Sequence, residues 1–447
     1  MKTSFSFFWI AVVLGHIAVT CTGLKKISNA QQLVDLFAAG TAVNEDIELR
    51  KDLDFKNTNL VLPLGAKTDD TCVPYTGTFN GKGHMIKNLV MNNAEASGYA
   101  GAGLFCRLQN AVVKDLVFDS SCSFTAESSG ALSVEATALL TVSKITNKAA
   151  VNGTEIVGGI IGYVYDLSNQ SSSQIDSCVN EGSVKCTGRY TGGIIGLIEN
   201  TVADIIILDC TNRGPITAQD MTGGIVGCIQ DCINTTVTIS NCMNDNDIDG
   251  TELVGGLVGY VGTCTNTVVT IGGSFNNGNI LETQYLGGFI GSFGENENVN
   301  VTIFNSINNG MVSCSGTYGE CGGFIGSMYS SAGAFVALSN VYNNGAIKTA
   351  YSYAGGLLGN VAYSMDIELS LINCTNNGNV TGSLFAGGLV AYFSNEDTES
   401  SSRVIVMNSA NRGTITATER AVCGLFCADD STGMMSCTVV NRSEERR

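Results

Sequence analysis

His84 is the one histidine beyond the first 23 residues, so any Ser-His-Asp or Cys-His arrangement would have to use it as its base. It stands in the glycine-rich run Asn80-Gly-Lys-Gly-His84, which reads as a surface turn with no catalytic task. Carboxylates are the other candidates. A polysaccharide-cleaving site needs two acids on one face with a cation nearby. Asp204, Asp231, Asp366 and Glu368 fall in different parts of the chain, and Glu295 and Glu297 share one loop. That scatter argues against an enzyme; acids gathered in a groove would reverse the reading. Cys423 and Cys427 stand four apart with no second ligand pair, which is not a zinc signature. The expectation is no catalytic residue, no metal and no cofactor.

The cysteines show more pattern. There are 17, and removal of a leader ending near Gly23 would leave an even number, as suits disulfides in an exported chain. Cys178, Cys210 and Cys242 recur in step with Ser274, Ser306 and Ser409, a column that wants small side chains and suits a reduced, buried ladder. Cys232 and Cys264 occupy equivalent loop positions in successive repeats and are expected to pair. Cys314 with Cys321, and Cys423 with Cys427, are local candidates. Asn-x-Ser/Thr acceptors stand at Asn152, Asn169, Asn234, Asn300, Asn373, Asn379 and Asn441, and matter only in a eukaryotic secretory pathway. Asn373 and Asn379 flank a repeat landmark and are expected to be enclosed.

What positions these residues is a repeat. A Gly-Gly-apolar-apolar unit recurs from Gly158-Gly159 through Gly192, Gly223, Gly255, Gly287, Gly322, Gly355 and Gly387 to a degenerate Cys423-Gly424, at spacings of 31 to 36 residues. Asn keeps step at 147, 180, 212, 244, 276, 308, 343, 376 and 411, usually with Gly two residues later. Branched apolar residues stand seven and five residues before that Asn and four after it, as at Val237, Ile239 and Ile248. Offsets that differ by two share one strand face. One unit cannot bury its own apolar face, so the units must stack. The fold class is all-β: a right-handed parallel β-helix, or β-solenoid, of about nine to eleven coils with a short N-terminal capping helix. Each unit should give about three strands, with glycines supplying positive φ at the corners, and the Asn side chains could stack as an amide ladder. Residues 27–40 read as the helix, with Ser28 or Asn29 as its cap and Gly40 as its stop.

Residues 1–23 read as a signal peptide, 24–130 as the cap and first coils, 131–430 as the repeat solenoid and 431–447 as a polar tail. No later stretch is long and apolar enough for a transmembrane span. A formal charge of −17 excludes phosphate-led nucleic-acid binding. Loops after the third glycine, at 163–171, 292–299 and 392–402, are expected to form a variable rim. The second apolar residue after each Gly-Gly, such as Ile161 or Ile195, is expected to point outward beneath those loops.

Gly77-Thr-Phe-Asn-Gly-Lys-Gly-His-Met-Ile-Lys-Asn-Leu-Val90, the segment Gly103–Leu116 after it and the Gly-Gly-apolar-apolar-Gly unit resemble the GLUG-type repeat β-solenoids of exported surface proteins, over residues 27–427. That group includes large adhesins, other surface proteins and peptidases whose repeats accompany a separate catalytic domain, which this sequence does not display. The resemblance implies a secreted or surface-associated, non-catalytic scaffold that binds an unknown protein or glycan. A structural coat protein and a carbohydrate-active β-helix enzyme are the alternatives.

Overall fold

The computed structural model describes residues 23–38, 44–93, 99–167, 172–394, 401–427 and 436–440. Residues 1–22 of the proposed signal peptide, Gly40, Asn169, Asn441 and most of the polar tail lie outside them. The chain forms a parallel β-solenoid of about eleven turns, nearly all β with one helix. A middle coil contains five short strands, not three: Val226–Gln230, Thr236–Ser240, Met243–Asn244, Ile248–Asp249 and Val254–Gly255. Each pairs in parallel with its equivalent one coil on, so that Val237 meets Val269, Asn244 meets Asn276, Ile248 meets Ile280 and Gly255 meets Gly287. The apolar columns at −7, −5 and +4 from the Asn are buried in one continuous core.

The helix Ala30–Phe37 closes the N-terminal end of that core. Asn29 is its cap, accepting from the Gln32 N–H at 3.0 Å, while the Ser28 N–H donates to the Gln32 side chain at 2.8 Å. Its buried face of Ala30, Leu33 and Phe37 covers the first rungs, with Phe37 against Tyr75 and Phe105.

The Asn column is an unbroken amide ladder. Each Nδ2 from Asn147 to Asn376 donates to the Oδ1 of the next Asn at 2.7–2.9 Å, and also to the carbonyl two residues ahead in its own coil at 2.8–3.0 Å. The second glycine of each Gly-Gly pair faces this ladder: a Cβ on Gly256 would lie 2.1 Å from Gly288 O and 2.5 Å from Asn276 Cγ. The glycine two residues after the Asn is likewise required by close approach, since a Cβ on Gly278 would meet Asn246 O at 1.8 Å. This corrects the expectation of positive φ there. The left-handed corner is instead taken three residues before the Asn, by Asp209, Asn241, Asn305, Asn340, Asn373 and Asn408 at φ 50–55°. Short polar side chains tolerate that region best after glycine.

Disulfides join Cys72–Cys106, Cys314–Cys321 and Cys423–Cys427. Cys232 and Cys264 are stacked neighbours as expected, but both are buried free thiols, which corrects the expected pairing. Equivalent residues in a parallel stack hold their Cβ atoms near the strand spacing of about 4.8 Å, wider than the roughly 3.8 Å a disulfide favours. Each sulfur points instead at the carbonyl two residues earlier, Gln230 O and Gly262 O, at 3.3 Å. Cys178, Cys210 and Cys242 are also free and buried, and Ser274 Oγ accepts from the Cys242 N–H at 3.1 Å in the same column. Burial, with the neighbouring Cys210 sulfur, pushes the Cys178 thiol well up, which keeps it neutral and inert. Alkylation of the native chain followed by peptide mapping should leave Cys178, Cys210, Cys232, Cys242 and Cys264 unmodified until denaturant is added. A Cys232–Cys264 cross-link in the unreduced digest would contradict this packing.

Candidate functional site

The strand after each Gly-Gly pair creates the most distinctive surface. The N–H groups of Ile194 and Ile195 both bond to Ile225 O, at 3.1 and 3.0 Å, and the same doubling recurs at Ile160/Ile161 and Ile225/Val226 in their coils. Two donors on one acceptor is bulge geometry, which breaks the alternation of side chains. Both apolar residues therefore enter the core: Ile160, Ile161, Ile194 and Ile195 are all fully buried. The expectation that Ile161 and Ile195 point outward is overturned for this reason. The next core residue is Val164 or Ile198, and the outward positions fall on either side of it.

Those positions build an apolar strip outside the main core. One column runs Tyr163, Leu197, Cys228, Tyr260, Ser292, Ser327, Asn360 and Tyr392. A facing column, two residues before the first glycine, includes Tyr190, Leu253, Tyr285, Glu320, Tyr353 and Phe385. Leu197, Cys228, Leu253 and Tyr260 form a separate buried cluster against which Tyr163, Tyr190, Tyr285 and Tyr329 pack. Tyr163 stacks on Tyr165 at 4.4 Å near one end, and Tyr353 on Tyr392 at 5.0 Å near the other. At the first of these ends Arg107 pairs with Glu135 at 2.6 Å, Tyr165 donates to Glu135 at 3.1 Å, and Tyr163 donates to Glu199.

The strip is interrupted where its column becomes small and polar. Glu252, Leu253, Tyr285, Glu320, Ser327, Tyr329, Asn360 and Tyr363 line a cleft of about 330 Å³. Asn360 Nδ2 donates to Glu320 Oε1 at 2.8 Å. Burial pushes the Glu320 carboxyl up to about 7, against the lowering effect of Ser327 and Asn360. Three coils before Glu320 and one before Glu252, burial also raises Asp220, to about 6, with the Met221 N–H opposing and the Glu252 charge adding.

The residues singled out in the sequence lie elsewhere. His84 Nδ1 sits 3.4 Å from Asp52 Oδ1 in the first coils, beside the Lys87–Asp52 pair. Asp204 accepts from the Thr236 N–H, and Asp366 from Ser401. Asp231, Glu295 and Asp366 take positive φ as turn residues. Ser292 belongs to the strand Ile290–Gly294, and the corner loops that follow keep register through bridges from Ile233 to Thr265, Glu297, Ala332 and Met365, so the described part of the rim is regular. Asn234, Asn300, Asn373 and Asn379 are exposed, Asn152 is half-buried, and the expected enclosure of Asn373 and Asn379 is not found. Among the described residues no group of three His, Cys, Asp or Glu side chains is placed to hold a metal ion. No described helix is long and apolar enough to cross a membrane. Glu320, Ser327 and Asn360 carry a signal that column alignment would have exposed: polar residues in positions filled elsewhere by Tyr, Leu and Phe.

No family model matches the chain. Halomucin of Haloquadratum walsbyi is 28% identical over 161 residues, covering 31% of this chain and 2% of that protein. The chain thus matches a very small part of that relative. Among solved structures, the crystal structure of a Bacteroides ovatus protein provisionally assigned as an immunoglobulin A1 protease is similar with a TM-score of 0.43 and 17% identity, over 64% of this chain and 76% of that one.

Proposed function

We propose that this protein is a secreted or surface-displayed solenoid that binds an extended glycan, without cleaving it, along the tyrosine-lined strip. The observation that carries the reading is an apolar, aromatic strip outside the core, running through successive coils. Rigid aromatic faces with polar hydroxyl tips suit a partner that is apolar on one face and rich in hydroxyls on its edges. Three disulfides and the partial likeness to halomucin support an extracellular setting. A glycan array probed with the full chain should give saturable binding that favours oligosaccharides over single sugars. Absence of any glycan signal, or equal signal from a chain with Tyr163, Tyr190 and Tyr285 all changed to alanine, would remove the reading.

One observation favours a second reading. Glu252 and Glu320 line the same cleft, and an acid held near neutrality is what a general acid requires. Release of reducing ends from a bound oligosaccharide, abolished by Glu320→Gln, would make the protein a carbohydrate-active enzyme instead.

A further inference from the structure

We infer that the cleft around Glu320 is a built subsite for one hydroxyl-rich sugar ring, held by hydrogen bonds that the ring donates. The inference rests on the glycan-binding reading above and assigns it a place. Among the described residues six buried side-chain oxygens lack a hydrogen-bond partner; two of them, Glu320 Oε2 and Asn360 Oδ1, belong to residues that line this cleft, and a third, Ser292 Oγ, stands in the rung beside Ser327. Buried polar atoms are nearly always paired, so a local group of unpaired ones marks either an absent partner or a real cost in stability.

Their chemistry selects the partner. Asn360 commits its Nδ2 to Glu320 Oε1, which leaves its Oδ1 as an acceptor, and Glu320 Oε2 is a second acceptor once the carboxyl is ionised, above about pH 7. The missing partner therefore supplies donors, at more than one point. A single ammonium could answer both acceptors with two of its three N–H groups, but it has no ring face to lie against the flanking tyrosines. A sugar ring carries several O–H donors on one rigid frame. The walls fit the same ligand: Tyr285, Tyr329 and Tyr363 border the cleft, and Ser327 is small enough to let a ring in where Leu197 or Tyr260 would fill the space. Its volume of about 330 Å³ lies at the lower end of small-ligand sites, enough for about one or two rings.

The test is calorimetric titration of the full chain with cellotetraose, mannotetraose and chitotetraose. Wild type is compared at pH 8 with Glu320→Gln, Asn360→Ala and Tyr342→Ala, the last an exposed tyrosine outside both the strip and the cleft. The wild-type chain should bind at least one tetrasaccharide. Glu320→Gln and Asn360→Ala should each weaken it about tenfold or more, the loss of a charge-assisted or paired hydrogen bond, with Tyr342→Ala unchanged. Circular dichroism of each variant confirms the fold. Tetrasaccharide binding that is insensitive to Glu320 and Asn360, or that Tyr342→Ala weakens equally, overturns the subsite and leaves the glycan reading standing. Failure of all three sugars overturns the subsite, and joined to a glycan array without signal it overturns both readings.

Discussion

Asn276→Ala should lower the stability of the central coils by about 4 kcal/mol, whereas Asn309→Ala should change it by less than about 0.5 kcal/mol. The two residues make bonds of nearly the same length. Asn276 donates to Asn308 Oδ1 at 2.8 Å and to Gly278 O at 2.9 Å and accepts from Asn244 Nδ2 at 2.9 Å, all without water. Asn309 donates to Asn277 Oδ1 and accepts from Asn344 Nδ2, both at 2.8 Å, but on an exposed ladder where water replaces either bond. Truncation at 276 leaves three buried groups short of a partner, each at about 1–3 kcal/mol. Urea unfolding followed by circular dichroism measures both. Because rungs couple mainly to their neighbours, the loss should show as an earlier transition of part of the array. Equal, small effects at both positions would mean that the ladder only accompanies the fold and does not hold it.

Glu320→Gln should stabilise the protein at pH 8 by on the order of 2 kcal/mol and leave it unchanged near pH 4. The folded carboxyl titrates at about 7, above its ordinary value of 4.5, because burial disfavours the anion. Below about pH 4.5 both states carry the proton and the side chain costs little. Between that pH and about 7 the unfolded chain releases the proton that the folded chain retains, so wild-type stability falls as pH rises; above 7 the cost is constant. A glutamine has no charge to bury and should show no such decline. Parallel curves for the two proteins from pH 4 to 8 would mean that the carboxylate is solvated in the folded state. A side chain whose removal strengthens the fold is one kept for something other than the fold.

The architecture was legible because stacking makes the sequence report it repeatedly. Val237, Val269 and Val301, then Ile239, Ile271 and Ile303, stand at one offset from one Asn and pair as that offset requires. The strip was not legible, because the bulge at Ile194/Ile195 depends on two N–H groups sharing a carbonyl one coil away, which no local alternation encodes. Glycine was read as conformational freedom when its task at Gly256 and Gly278 is to leave room. Two cysteine signals were present and unread. Cys374 stands two before Asn376 in the same column as Cys242, and Cys72 and Cys106 are 34 residues apart, about one turn of the coil. The cleft residues were passed over for a related reason: a search for acids gathered along the chain cannot find Glu320 and Asn360, which stacking brings together from 40 residues apart.

The amide ladder also gives the solenoid a direction. Every rung donates the same way, from Asn147 toward Asn411, so the side-chain dipoles align head to tail and each polarises the next. At the lower end Asn147 Oδ1 accepts from the Ala149 N–H at 3.0 Å and has Phe118, which carries no amide, in the rung below. At the upper end Asn411 Nδ2 donates to Gly413 O at 2.7 Å. The two ends of the stack are therefore chemically unlike. What continues the stack must therefore offer an N–H to the carbonyl oxygen at one end and a carbonyl oxygen to the amide N–H at the other, so the two ends ask for different partners.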